Sequence, residues 1–210
     1  MESYFGHFKD VTKKQGGQDH RTVRMMEKPF PCLSSLSSEE NRSQALRRVK
    51  KFINKKNAKN SNNLLGVSRE QYNAYFKFTI VRNPWDRALS WYDNVLRNEY
   101  YLKKYSLNKD IYFGDFLRSS IGKSALRSQL YWIRNFKGDV DLDYIAKFEN
   151  LEEGFRTIAK ALNLEGHSLP HELNVNRKAV AYQDRYDEES KKLVSEFYAN
   201  EIKLFNYKFD

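Results

Sequence analysis

Arg82, Arg87 and Ser90 stand in the run FKFTIVRNPWDRALSWYDNV, Phe76 to Val95, where a strand pattern gives way to a helix pattern. Arginine offers a planar fork of donors that matches a phosphate, and a serine hydroxyl adds one more. Arg82 ends the strand, Arg87 falls one turn before Ser90, and Ser90 lies two turns into the helix. In parallel α/β sheets ligands gather beyond the carboxyl ends of strands, where the next helix begins. These types and spacings suit a phosphate held by a fork from Arg82 and a hydroxyl from Ser90, with Arg87 supporting the turn or adding charge. Taken singly the residues say less: Arg82 equally suits an ordinary surface ion pair, and Trp91 and Tyr92 read as core. The combination of Arg82, Pro84 and Ser90 carries the phosphate reading. Metal chemistry has no support, since neither a CxxC pair nor His-x-x-x-His occurs.

Several elements must position these groups. Phe76 to Val81 alternates and is rich in aromatic and β-branched residues, which predicts a strand. Proline is tolerated in the first helical turn, so Arg82-Asn83-Pro84 reads as the switch into a helix over Trp85 to Arg97. A second strand is expected over Leu142 to Phe148, then helices over Leu151 to Leu162 and Asp187 to Leu204. Upstream, Ser3 to Thr12 suits a short helix, Lys13 to Asp19 a glycine-bearing loop, Glu27 to Ser38 a loop, and Lys59 to Asn63 a turn. Between them, Ser38-Glu39-Glu40 starts a helix reaching about Asn57, with Ala45, Leu46, Val49, Phe52 and Ile53 as its packed stripe. Its basic residues, Arg42 to Lys56, read as a solvated face or as a collar for an acidic acceptor. Strands alternating with helices predict an α/β layer fold with a parallel sheet.

With 210 residues, 40% of them hydrophobic, the chain can bury one sizeable core, so residues 1–210 are expected to form a single domain. The lone Cys32 excludes an internal disulfide and suits a cytoplasmic setting. No apolar run approaches the length of a membrane span. A net charge of +10 favours polyanionic partners without choosing among them. A basic nucleic-acid-binding protein is therefore one reading, though no helix-turn-helix, zinc-finger or RNP signature supports it.

RNPWDRALSWY resembles the 3′-phosphate-binding motif of sulfotransferases that use 3′-phosphoadenosine 5′-phosphosulfate (PAPS), the carbohydrate-modifying branch above all. Arg82, Asn83, Pro84, Arg87, Ser90 and Tyr92 fit its pattern. Four further pieces follow in family order: Ser128-Gln129-Leu130; Asp143 to Leu151, similar to D-x-I-x-R-F-E-N-L; Leu169-Pro170-His171 with Asn174; and a terminal helix closing on Phe205-Asn206-Tyr207-Lys208-Phe209. The resemblance implies a P-loop-like parallel sheet flanked by helices. It also implies that Arg82 and Ser90 bind the donor's 3′-phosphate.

Family members cradle the 5′-phosphosulfate in a loop resembling P-K-T-G-G-T-S, after a first strand. No such segment occurs here, nor any G-x-x-x-x-G-K-[ST] or G-x-G-x-x-G, and Gly16-Gly17 has no strand ahead of it. The expectation is a chain lacking that first strand and loop, truncated relative to the family. His20, in QDHRTVR, stands where the resemblance implies the base that deprotonates the acceptor hydroxyl, a role a neutral imidazole suits near pH 7. A polar loop histidine is the alternative; His171 is the reserve, and His7 and His167 have no assigned part.

The expected activity is transfer of a sulfuryl group from PAPS to a carbohydrate hydroxyl, without a metal. The alternative is a non-catalytic relative that binds PAPS or its product. Eukaryotic relatives of this kind work in the Golgi behind a membrane anchor; a bacterial-type cytoplasmic protein is the expectation here.

Overall fold

The strand-to-helix switch at Arg82 is present in the computed structural model of the chain, which describes residues 21–29, 32–53, 68–164 and 181–210. Strand β1 (Phe78–Val81) draws on Phe, Thr, Ile and Val, side chains that fit a pleated and partly buried surface. It pairs with β2 (Tyr144–Lys147) in a two-stranded parallel sheet. Ahead of the pairing, the Lys77 N–H donates to Asp143 Oδ2 at 2.6 Å and the Asp143 N–H to the Lys77 carbonyl at 2.8 Å, which sets the register. The α/β expectation holds, with two strands and many helices among the described residues. The segments expected as a helix at 3–12, a loop at 13–19, a turn at 59–63 and the Leu169-Pro170-His171 loop lie outside the described residues.

Two compact units divide the described chain. One holds residues up to Thr79, Leu130–Ala146 and those from Glu152 to 164; the other holds Ile80–Gln129, Lys147–Leu151 and 181–210.

In the first unit, α1 (Val23–Met26) lies against α2 (Glu39–Ile53) through a buried arginine. Arg24 pairs with Glu40, donates to Asn41 Oδ1 and the Tyr131 carbonyl, each at 2.9 Å, and lies over the Tyr131 ring. Thr22 donates to Gln44 Oε1 at 2.9 Å, and the Gln44 amide reaches the Tyr131 hydroxyl. This network corrects the expected packing of α2. Its inward face is Asn41, Gln44 and Ala45, whereas Leu46, Val49 and Ile53 of the expected stripe are 61%, 43% and 69% exposed. A buried guanidinium needs a counter-charge and acceptors, and the polar face of α2 supplies Glu40 and Asn41. Arg42 and Arg48 of the basic run likewise donate to backbone carbonyls of Ser37 and Arg24.

Also in this unit, α3 (Arg69–Ala74) starts in a capping box made by Ser68 and Gln71. Helix α8 (Leu151–Ala161) buries Gly154, Phe155, Ile158 and Ala159. Gly154 is required by its neighbour, since a Cβ there would sit 2.7 Å from the Cβ of Ala146 in β2. Gly154→Ala should therefore destabilise the protein by about 1–2 kcal/mol, overpacking outweighing the ~1 kcal/mol gain in helix propensity. A urea midpoint equal to or above that of the native protein would refute the close packing.

In the second unit, α4 (Pro84–Arg97) is capped by Asn83, whose Oδ1 accepts from the Trp85 N–H at 3.0 Å, with Pro84 at the first position. Trp85, Ala88, Leu89, Tyr92 and Val95 form its buried stripe, and Tyr92 donates to the Ile111 carbonyl at 2.7 Å, in keeping with its expected place in the core. Trp91, also expected in the core, is half-exposed. Three short helices, α5 (Glu99–Tyr105), α6 (Phe113–Ser120) and α7 (Gln129–Ile133, mostly in the first unit), follow where the sequence reading assigned no helix. Each spans about two turns or fewer, too short for a 3.6-residue period to stand out. The expected terminal helix over 187–204 is instead two, α9 (Glu188–Phe197) and α10 (Ala199–Phe205), broken at the buried Tyr198. Asn206 then takes a left-handed conformation, φ 51°, which ends α10 and turns the last residues back toward the start of α4.

A candidate phosphate-binding site at the end of strand β1

Arg82 follows β1 directly, and its backbone and side chain are held separately. The Gln129 amide grips the backbone as a neighbouring strand would: its Oε1 accepts from the Arg82 N–H at 2.8 Å, and its Nε2 donates to the Arg82 carbonyl at 3.0 Å. The Arg82 side chain lies along α4. Nε donates to Asp86 Oδ2 at 2.5 Å, Nη1 donates to Ser90 Oγ at 3.1 Å, and the guanidinium covers the Phe148 ring at 4.5 Å. Asp86 and Ser90, four apart on α4, share one stripe, and the Arg82 side chain runs along it.

Arg82 and Ser90 are thus brought together, and Arg87 is not with them. One residue past Asp86 is a rotation of about 100° around the helix. From there Arg87 donates to the carbonyls of Ala125 and Arg127 at 3.2 and 2.9 Å, covers the Tyr198 ring at 4.9 Å, and faces Glu201 Oε2 at 3.8 Å. Glu201 is 1% exposed and joins the two arginines, accepting from the Gln129 N–H at 2.6 Å and from its Nε2 at 2.8 Å. Arg87, Glu201, Gln129 and Arg82 form one continuous chain of polar contacts.

Asn83 ties the same turn to the end of the chain. Its N–H donates to Glu149 Oε1 at 2.6 Å, and its Nδ2 donates to the Lys208 carbonyl at 3.0 Å and the Tyr182 hydroxyl at 3.2 Å. The Tyr207 hydroxyl donates to Glu149 Oε2 at 3.1 Å, and Phe209 packs edge-on to Trp85 at 5.5 Å. Glu149, part of the Asp143 to Leu151 resemblance, reaches back to hold the turn. Three separated pieces of sequence, at 82–90, 147–150 and 205–209, therefore meet here.

The arrangement leaves donors unused. Among the described residues Arg82 Nη2 has no hydrogen-bond partner, and Ser90, having accepted from Arg82, keeps its own O–H to donate. His20 lies outside the described residues, as do His7, His167 and His171. No cluster of three or more metal-ligating side chains occurs among the described residues, and none of their helices is long and apolar enough to cross a membrane.

Residues 3–208 match the model of the sulfotransferase family. The chain belongs to that family. A protein of Archaeoglobus fulgidus described as an uncharacterized protein is 32% identical over 122 residues, which cover 57% of this sulfotransferase and 89% of that protein. No solved structure matches the chain. Transfer of a sulfuryl group is the activity the family implies, and its members generally use PAPS.

Reading the sequence gave no part at this junction to three residues of this sulfotransferase that meet there. Asp86 was legible, since an acid four residues after an arginine is a pairing signal. Phe148 and Glu201 carried no local signal, being brought to the turn from 66 and 119 residues away along the chain (148 − 82 and 201 − 82).

Buried tyrosines around the turn give the protein a defined alkaline limit. Burial pushes Tyr198 up to about 12, opposed by the nearby Arg87, and burial with the Glu149 carboxylate raises Tyr207 as well. A phenol whose folded pKa exceeds its unfolded value near 10 stabilises fully below pH 10, and that stability is lost as pH rises toward the folded value. For Tyr198 the loss is on the order of 2–3 kcal/mol by pH 12. Tyr198→Phe should thus be the less stable protein at pH 9, where it lacks the bond to the Leu126 carbonyl, and the more stable one near pH 12. Parallel guanidinium midpoints from pH 9 to 12 test this crossover; a constant difference would contradict it.

Proposed function

We propose that this sulfotransferase moves the sulfuryl group of PAPS to a hydroxyl of a carbohydrate acceptor, with Arg82 and Ser90 holding the donor's 3′-phosphate. The observation that supports the reading is the Arg82 Nη1 to Ser90 Oγ contact of 3.1 Å at the carboxyl end of β1, which sets a guanidinium beside a hydroxyl. A phosphate there takes a charge-assisted bond from Nη2 and one from the Ser90 O–H, while Asp86 and Phe148 keep the guanidinium plane fixed. Arg87 and Glu201 act from behind as positioning residues, through Gln129. In the reaction the acceptor oxygen attacks sulfur in line, the bond from sulfur to the bridging oxygen breaks, and 3′-phosphoadenosine 5′-phosphate departs with both electrons. His20 takes the proton of the acceptor hydroxyl. Arginine and backbone donors stabilise the developing charge, so no metal is called on.

The test is the melting temperature with 3′-phosphoadenosine 5′-phosphate, against ADP and AMP, which lack the 3′-phosphate. At a ligand concentration about a hundred times Kd the stabilisation is ~2.7 kcal/mol, or roughly 5–10 °C for a chain of this length. An equal shift with ADP would remove the 3′-phosphate from the reading. A shift without turnover of PAPS on any saccharide would leave a donor-binding protein that does not transfer sulfate.

A further inference from the structure

Helix α2 turns its bulky aliphatic side chains away from its own unit. Leu46, Val49 and Ile53 are exposed, and with Arg42 ahead of them they fall at i, i+4, i+7 and i+11, one line along the helix. The side that packs is a different one: Gln44 and Ala45 are buried, and Asn41 and Gln44 accept from Arg24 and Thr22. A surface helix ordinarily lays its apolar stripe on the core. In α2 the stripe faces outward instead.

Positive charge is concentrated on the same stretch of chain. From Asn41 to Asn63 the sequence holds eight lysines and arginines and no aspartate or glutamate, against a net charge of +10 for the whole chain. The remaining residues together carry only +2 (10 − 8), so the basic character of the protein belongs to this stretch. Arg42, Arg47 and Lys50 of the run are exposed on α2. Lys50 neighbours both Leu46 and Ile53, four residues after one and three before the other, and Arg47 lies one turn before Lys50. Arg42 is held at the head of the stripe, its Nη1 donating to the Ser37 carbonyl at 2.6 Å. The acids of α2, Glu39 and Glu40, are confined to its first turn, and Glu40 is paired with the buried Arg24.

We propose that α2 docks on an anionic lipid bilayer, laying Leu46, Val49 and Ile53 against the acyl chains while Arg42, Arg47 and Lys50 meet the headgroups. The two halves of the surface weigh against other partners. A nucleic acid or an acidic polysaccharide would meet the cations and leave three aliphatic side chains in water. A second copy of α2 would cover the aliphatic side chains and bring like charges together. A bilayer with anionic headgroups supplies an apolar interior and negative charge side by side, and long basic side chains can reach from one to the other. With 15 residues α2 is neither long nor apolar enough to cross a bilayer, so it lies along the surface. This docking does not depend on the donor site described above.

The experiment sediments the full chain with vesicles of phosphatidylcholine alone and with vesicles in which about a third of the lipid is phosphatidylserine. Binding to the phosphatidylserine vesicles should be about tenfold or more the tighter, and should weaken as salt is raised. Arg47→Gln/Lys50→Gln should lower that affinity about tenfold or more, each basic residue near an anionic surface contributing roughly fivefold. Leu46→Ser/Ile53→Ser keeps every charge and should lower it by about as much. All four positions are exposed, so both variants should fold as the native protein does, with unchanged melting temperatures. Heparin, a polyanion without acyl chains, is titrated beside the vesicles, and Leu46→Ser/Ile53→Ser should bind it as the native protein does. Absence of binding to phosphatidylserine vesicles, or equal binding to both lipids, would overturn the proposal. So would full vesicle affinity in Leu46→Ser/Ile53→Ser, which would reduce the surface to a site for polyanions.

Discussion

Arg82→Ala should weaken binding of 3′-phosphoadenosine 5′-phosphate about a hundredfold and leave the weak binding of ADP unchanged. The size follows from losing a charge-assisted bond to the phosphate, worth ~1.5–3 kcal/mol, while the Asp86 carboxylate stays beside the anion. Asp86 is partly exposed, so the variant should lose little stability, about 1 kcal/mol or less. Arg82→Ala/Asp86→Asn takes the negative charge away from the site and should recover part of the affinity. Arg82→Lys keeps the charge without the fork and should fall between the native protein and the alanine variant. Ser90→Ala, removing one hydroxyl donor, should cost about tenfold. Calorimetric titration of the five proteins decides the matter. If Arg82→Ala bound the 3′-phosphorylated nucleotide as well as the native chain, the strand-end site would have to be abandoned.

Glu201→Ala should produce the largest loss of stability, about 3–5 kcal/mol. Glu201 is buried, and its removal leaves Arg87 without a counter-charge and Gln129 without two of its acceptors. Nε and Nη2 of Arg87 are already buried without hydrogen-bond partners, so the guanidinium has no ready replacement. Arg87→Ala/Glu201→Ala should be less destabilised than the sum of the single variants, by about 1–3 kcal/mol, because the second deletion relieves the charge the first one stranded. Glu201→Gln, which preserves shape but not charge, separates folding from positioning. It should fold, and it should still lower the affinity for 3′-phosphoadenosine 5′-phosphate, because Gln129 orients the Arg82 backbone. Urea denaturation and nucleotide titration together check both effects. Additive losses in the double variant, or unchanged nucleotide affinity in Glu201→Gln, would show that the chain of contacts from Glu201 to Arg82 transmits nothing.

Phe76 to Val95 declared its own structure, since alternating β-branched and aromatic residues, an Asn-Pro junction and a 3.6-residue stripe are local signals that survive into the fold. The pairing of Arg82 with Ser90 was legible for the same reason, both residues belonging to one strand–helix junction. What a spacing argument could not weigh was the choice between Arg87 and Asp86 as the third member, because each is within one turn of Ser90. The structure places Asp86 on the stripe and turns Arg87 inward to Glu201.

Helix α2 shows the opposite limit. Its apolar residues recur with helical spacing, yet of the expected stripe Ala45 is buried while Leu46, Val49 and Ile53 are exposed, and Asn41 and Gln44 face inward where the first unit buries Arg24. Periodicity reports which face is apolar, and burial is decided by what the neighbouring element needs. Tyr198 makes the same point for the terminal segment: a continuous helical pattern is broken where a buried side chain must meet the Leu126 carbonyl. The sequence alone determined the family, the strand–helix junction and the two residues that meet there, all matters of local order along the chain. Only the tertiary structure decided what surrounds them: Glu149, Glu201 and the Tyr207 to Phe209 tail reach the junction through contacts between distant segments, and no local pattern encodes which distant residue will arrive.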